Sequence, residues 1–393
     1  MSNLTYLDKN LNSIDWDFTS LSNEGLNSFH WYPATFISAI PGSVIPIITK
    51  ENDTVLDTFC GTSVTGYEAI RLGRRYIGFD NNPIAILISK AKLLFPESNS
   101  LLNLFSEVDL FDINKNIKHP NEEILKKWYH YDTYYELLFL LDKISKIHSP
   151  VFRIPAQAVF SSILKKTSSQ GKHWGWVCDN VIPKPNEIVY KNAIDIFNKA
   201  LRNYCNSVDN MLISIKYRNL DNKRKQIREQ WELNCGDTLS LTNQLKPNSI
   251  DLILSSPPYY GVADYVKAQR LSFLWFHKKF MTIEGYSFDD FEQLRKTETG
   301  ARSTRYNQNS FNDYIEYMDR YIFNCQRVLK KGKYLVLIMG DSKSRNETIG
   351  VIDEYAKKYG FEKEYEFQRQ IRESRRRLMA KVQNEQIKVY VKK

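Results

Sequence analysis

Short apolar runs of strand length alternate, at both ends of the chain, with stretches in which apolar positions recur every three or four residues. This is the pattern of a mostly parallel sheet covered by helices on both faces. The candidate strands are Thr54–Thr58, Arg75–Phe79, Ile250–Leu254, Tyr334–Ile338 and Ile387–Val391. Between the first two, Thr62–Leu72 has helical periodicity and Gly73 ends it. Asn82 in an N-cap position, with Pro83 at the first helical position, opens a helix that runs to about Leu94. Further helices are expected from Ile37 onward and over Phe311–Leu329, the latter stopped by Lys330-Lys331-Gly332.

From about Pro96 to Gln230 the rhythm changes. Two long helical patterns, Asn121–Ile147 and Glu187–Gln230, flank a segment rich in Lys, Ser, Gly and Trp, and no strand–helix alternation is visible. The expected organisation is therefore one half of an α/β domain over residues 1–96, a largely helical insertion over 97–230, and the second half over 231–393. No internal repeat or low-complexity tract interrupts it.

At 393 residues and 42% apolar content, the chain can bury a sizeable core. A formal charge of +10 points towards an anionic partner such as nucleic acid, and the 24 tyrosines supply stacking surface as well as core. The five cysteines (Cys60, Cys178, Cys205, Cys235, Cys325) include no C-x-x-C pair, which excludes the usual zinc spacings and argues against a disulfide framework. The polar first dozen residues do not have the form of a signal peptide, and no apolar run approaches membrane-spanning length. A reduced, cytoplasmic protein with no metal and no membrane association is the expectation.

Two segments carry chemistry. In the first, the strand ending Asp57-Thr58-Phe59-Cys60-Gly61 passes through a small-residue turn into a helix. Glycine there lets the backbone approach a ligand, and the helix N-terminus presents free N–H groups. Asp80 ends the next strand at the separation at which a carboxylate reaches ribose hydroxyls. The turn has neither the full G-x-G-x-x-G of a dinucleotide site nor the G-K-[ST] of a P-loop, so a nucleoside cofactor without phosphates, S-adenosylmethionine, fits better. Asp57 and the backbone of Phe59 to Gly61 are expected to face its sulfonium and amino-acid end. A tight turn alone would suit any doubly wound domain.

In the second, a strand runs directly into Ser256-Pro257-Pro258-Tyr259. Two prolines cannot continue a central strand, so the chain must leave the sheet at its carboxyl edge. They aim the Ser256 hydroxyl and Pro257 carbonyl at one point beside the Tyr259 ring, an arrangement suited to a planar base bearing an amino group. A proline turn explains the prolines but not the flanking Ser and Tyr.

These residues resemble those of the DNA amino-methyltransferases, which methylate cytosine N4 or adenine N6. Asp57 to Gly61 resembles the family's cofactor motif, with Thr58 where the family usually has Pro, and Asp80 matches its ribose-binding acid with Asn81 beside it. His30-Trp31-Tyr32-Pro33-Ala34-Thr35-Phe36 resembles the segment that closes over the cofactor's methionine end, through His30, Thr35 and Phe36. Gly236-Asp237 falls where the family often has an acid near the adenine, and Ser256 to Tyr259 matches the catalytic motif. The resemblance implies a Rossmann-like methyltransferase sheet, S-adenosylmethionine as cofactor, and a target base flipped out of duplex DNA. Its amino nitrogen would attack the methyl group directly, so Cys60 is expected to pack against the cofactor turn rather than act as a nucleophile. In this family a first-position Ser goes mostly with cytosine N4, while related motifs also serve RNA and protein amino groups.

The motif order, cofactor before catalysis with an insertion between, resembles the class in which a target-recognition domain separates the halves. Here the insertion precedes Gly236-Asp237, a departure from that class. Lys165, Lys166, Lys172 and Trp174 lie on what reads as a flexible stretch, mixing cations for phosphates with aromatics. The polar stretch Gly285–Asn309 and the basic Arg375, Arg376 and Arg377 are further candidates for DNA contact. A restriction endonuclease partner is the expected biological setting.

Overall fold

A computed structural model describes residues 3–106, 113–170, 182–215, 223–342, 347–370 and 382–393. Seven strands form one sheet: β1 (Thr54–Asp57), β2 (Arg75–Asp80), β3 (Trp231–Cys235), β4 (Ile250–Ser255), β5 (Leu329–Ser342), β6 (Phe361–Gln370) and β7 (Val382–Lys392). Their order is β3-β2-β1-β4-β5-β7-β6. The pairings from β3 through β5 are parallel, and β7 runs antiparallel between β5 and β6. The strand order reverses between β1 and β4, so a crevice opens outside their carboxyl ends, where open α/β sheets take their ligands.

Strand alternation sorts the core into two layers. Val55, Leu252, Leu254, Val336 and Ile338 face helices Ala39–Ile48, Val64–Arg71 and Pro83–Leu94. Leu56, Ile253, Leu335 and Leu337 face helices Thr238–Gln244, Ser310–Val328 and Glu347–Lys358. Helix Pro83–Leu94 starts as its sequence dictates: the Asn82 side chain accepts from the Ile84 N–H at 3.0 Å, with Pro83 in the first turn. Nearly all of that helix is buried, because helix Pro150–Thr167 packs over its outer side and helix Ala193–Ser214 reaches it through Tyr204. Tyr204 donates to the Ala91 carbonyl at 2.7 Å across this contact. The buried side chains of the middle segment thus merge with those against the first face of the sheet.

Several elements differ from expectation. β3 and β6 were not foreseen. Both are edge strands, and β6 (Phe-Glu-Lys-Glu-Tyr-Glu-Phe-Gln-Arg-Gln) carries the charges that keep an edge from pairing with another chain, which also hides its apolar alternation. The pattern at 121–147 resolves into helices Glu122–Leu125 and Tyr131–Ser145, separated where His130 caps the second. That at 187–230 resolves into Ala193–Ser214 and Lys223–Arg228. Lys165 and Lys166 belong to the last turn of helix Pro150–Thr167 rather than to a flexible stretch, since Pro150 sits in the first turn of a helix that absorbs Pro155.

Candidate functional site

The carboxyl ends of β1, β2, β3 and β4 converge on a cleft enclosing about 880 Å³, counted out to its open mouth. Its wall includes Thr35, Phe36, Phe59, Cys60, Gly61, Asp80, Asn81, Asp237, Ser256, Pro258 and Tyr259, so the two motif segments, nearly 200 residues apart, share one cavity.

The turn after β1 is held mainly by backbone. Gly61 has φ +50°, a left-handed conformation that a side chain would strain, and its N–H donates to Asp80 Oδ2 at 2.9 Å. Asp80 Oδ1 accepts from the Asn82 N–H at 2.8 Å. Each carboxylate oxygen thereby keeps a lone pair for a hydroxyl in the cleft. Burial raises the Asp80 carboxyl to about 6, against the pull of those two bonds. Asp237 caps helix Thr238–Gln244 through the Ser240 N–H at 2.9 Å, and its other oxygen accepts from Tyr317 at 3.2 Å.

The segment after β4 is held from further away. The Ser256 hydroxyl lies 3.1 Å from the Ile338 carbonyl, to which it donates, and 3.3 Å from the Tyr259 hydroxyl, and it borders the cleft. Tyr314 donates to the Pro258 carbonyl at 3.0 Å. Tyr259 donates to Glu385 on β7 at 3.4 Å, and Glu385 is paired with Arg369 on β6 at 3.0 Å, both side chains almost completely buried.

Three expected positions lie outside the wall. Asp57 does not border the cleft: it is fully buried beneath the turn, where Oδ1 accepts from Ser255 Oγ at 2.6 Å and the Phe59 N–H at 3.3 Å. It ties the end of β1 to the end of β4, and burial raises its carboxyl to about 6. His30 turns away from the cleft, with Nε2 2.9 Å from Ser161 Oγ and Nδ1 2.7 Å from the Trp31 carbonyl. Burial lowers it to about 4, so it is a neutral structural link to helix Pro150–Thr167. Pro257 is buried and does not border the cleft. Cys60 does line the cleft, and burial pushes its thiol well up, as suits a packing residue.

Of the positions assigned to DNA, Lys165 and Lys166 are exposed, and the Lys165 ammonium sits 5.3 Å over the Trp31 ring. Lys172, Trp174, Arg375, Arg376 and Arg377 lie outside the described residues. The stretch 285–309 is not simply a surface loop. Glu298 and Thr299 turn inward to line the cleft, and the Gly300 carbonyl accepts from the Gly261 N–H at 2.8 Å, just past the catalytic segment.

Other wall residues escaped the sequence reading: Tyr32, Tyr265, Glu298, Thr299 and Tyr317. Tyr32 lay inside a quoted segment, but Tyr317 belongs to an ordinary amphipathic helix and Glu298 to a polar loop, so neither carried a local signal. Tyr32 and Tyr265 stack with ring centroids 6.3 Å apart. Among the described residues, no group of three or more His, Cys, Asp and Glu could hold a metal ion, and no helix is long and apolar enough to cross a membrane.

Comparison with known proteins gives a consistent picture. The sequence profile of the DNA methylase family for N6 and N4 matches residues 5–91 and 250–393, more than half of the chain, and leaves the intervening residues unmatched. The chain is similar to the Type II methyltransferase M.MvaI of Kocuria varians, 22% identical over 315 residues that make up 76% of this chain and 66% of that protein. It also resembles the Type II methyltransferase M2.LlaDCHI of Lactococcus lactis subsp. cremoris, 46% identical over 50 residues, 13% of this chain and 19% of that one. The chain thus spans slightly less than two thirds of the first relative and a fifth of the second. Among solved structures it is similar to a TehB-like S-adenosylmethionine-dependent methyltransferase from Corynebacterium glutamicum. That likeness has 11% identity, coverage of 90% of this chain and 87% of that one, and a TM-score of 0.32, too low to carry a common topology by itself.

Proposed function

The chain belongs to the N6/N4 DNA methylase family, and from that premise we propose that it transfers a methyl group from S-adenosylmethionine to cytosine N4 in duplex DNA, as the modification enzyme of a restriction–modification system. The observation that carries this reading is the presence of Ser256, Pro258 and Tyr259 in the same cleft as Gly61 and Asp80.

The residues present fit the cofactor. Gly61 admits close backbone approach, Asp80 keeps acceptor capacity for ribose hydroxyls, and Phe59 and Tyr317 offer aromatic surface to the adenine. When bound, the cofactor supplies an electrophilic methyl group on a sulfonium.

The chain's own contribution is to hold the target amino group. Ser256 spends its proton on the Ile338 carbonyl and so presents lone pairs, which accept from the amino group and keep electron density on its nitrogen. The Tyr259 ring stacks on the base flipped from the duplex. Alignment of nucleophile and methyl group supplies much of the acceleration, with no covalent intermediate on the enzyme.

Cytosine is favoured over adenine by Ser256 as the first residue of the motif. Duplex DNA is supported by family membership and by the chain's charge of +10. A partner endonuclease accords with the Type II naming of both relatives, and action in the cytoplasm follows from host DNA as substrate. The test is to express the chain, digest host DNA to nucleosides and analyse them by mass spectrometry. N4-methylcytosine is the expected product. N6-methyladenine would overturn the choice of base, and the absence of both would overturn DNA as substrate.

A further inference from the structure

The cofactor cleft carries an unusual balance of charge. Among the described residues its wall includes three carboxylates, Asp80, Asp237 and Glu298, and no Lys, Arg or His. Two of them have structural duties: Asp80 accepts from Gly61 and Asn82, and Asp237 caps a helix and accepts from Tyr317. Glu298 is different. It comes from the loop after helix Phe291–Lys296, held over the end of β2 by a bond from Asn81 Nδ2 to the Thr297 carbonyl at 3.3 Å. Its carboxylate accepts from the Val266 N–H at 2.7 Å, and among the described residues no Lys, Arg or His forms an ion pair with it, although Arg295 stands near enough to favour its charge.

The groups around it make that charge costly. The phenols of Tyr32 and Tyr265, with Asp80 near both, stand on the cleft side, and Asp264 adds a like charge. Arg295, on the helix preceding Glu298, is paired with Glu292 at 3.0 Å. Burial raises Glu298 to about 8, against the pull of the Val266 and Tyr265 N–H groups and of Arg295, so at neutral pH a cationic ligand binds with loss of the Glu298 proton and meets the carboxylate. A half-buried carboxylate that borders the cleft and has no ion-pair partner among the described residues is matched by a cationic ligand.

We propose that Glu298 is a charge-selecting residue of the cofactor site, giving the cleft a negative field that favours S-adenosylmethionine over its demethylated product. The two ligands share the adenosine, the ammonium and the carboxylate, and differ by the sulfonium methyl. S-adenosylmethionine therefore carries one net positive charge and S-adenosylhomocysteine none. A field that acts on this difference holds the substrate form of the cofactor and lets the spent form leave. The inference rests on S-adenosylmethionine as cofactor and is the same for either target base.

The experiment is calorimetric titration of the full chain with S-adenosylmethionine, S-adenosylhomocysteine and sinefungin, whose amine replaces the sulfonium. The wild type is expected to bind the two cationic ligands more tightly than S-adenosylhomocysteine. Glu298→Gln keeps an acceptor for the Val266 N–H and removes the charge. It is expected to weaken both cationic ligands about tenfold and the neutral one less than about twofold. Glu298→Asp, which keeps the charge, is expected to retain most of the preference. Equal affinities in the wild type overturn the proposal without recourse to any variant, as does an equal loss for all three ligands in Glu298→Gln. If none of the three binds the wild type, the cofactor assignment itself fails, a result distinct from binding without preference.

Discussion

The two sides of the cleft are built in different ways. The cofactor side, after β1 and β2, has its acid and helix start fixed within a short stretch of chain, where Gly61 and Asn82 donate to Asp80 and Asn82 caps the helix that follows, while Ser255 and Tyr321 brace the turn from beneath. The catalytic side, after β4, depends on distant strands. Ser256 is oriented by Ile338 on β5, Tyr259 by Glu385 on β7, and Glu385 by Arg369 on β6. Holding a hydroxyl and an aromatic ring at one point requires the whole far half of the sheet to be assembled.

The comparison is tested most severely at its deepest point. Glu385→Ala leaves the buried Arg369 charge without a partner and is expected to cost about 3–5 kcal/mol of unfolding free energy. Urea denaturation measures it, and a loss below about 1 kcal/mol would mean that the far strands do not depend on this pair. Next, Tyr259→Ala removes the stacking ring but none of the cofactor wall's backbone bonds. Methylation efficiency should fall about 10- to 100-fold, with cofactor affinity unchanged by calorimetry. Undiminished methylation would remove Tyr259 from contact with the base.

On the other side, Asp80→Ala orphans the Gly61 and Asn82 N–H groups and removes the ribose acceptor. Cofactor affinity should drop by about tenfold or more, and an unchanged dissociation constant would take Asp80 out of the site.

The smallest expected effect is on pH dependence. Burial raises Glu298 to about 8 and Asp80 to about 6, so the ligand-free cleft holds protons that a cationic cofactor must displace. Affinity for S-adenosylmethionine should therefore rise with pH, several-fold between about pH 7 and 8.5, and Glu298→Gln should flatten that rise. The sign for stability without ligand is the reverse. The contribution of Glu298 is fully present below the ordinary carboxylate range and is lost as pH rises through about 8. A wild-type affinity that falls over this interval would contradict the assigned charge of the cleft.

Legibility in the sequence followed the same division. The turn Asp57 to Gly61, the acid Asp80 and the Asn82-Pro83 helix start could be read because each is a local solution to a backbone problem. Even there the role of Asp57 was misjudged. A strand-end carboxylate in sequence does not reveal whether it faces a ligand or, as here, the neighbouring strand through Ser255. His30 was misjudged for a similar reason, since its partner Ser161 lies 131 residues away. Glu298 was missed because a carboxylate in a polar loop is ordinary until the loop is folded inward.

By itself the sequence determined the class of sheet, the glycine turn after β1 and the proline turn after β4. All three depend on backbone rules that act over a few residues. Only the tertiary structure decided that the two motifs border one cleft, that Asp57 and His30 support it from outside, and that Glu298 completes its charge. Burial and pairing between distant segments set those roles, and neither is a property of a residue's neighbours in the chain.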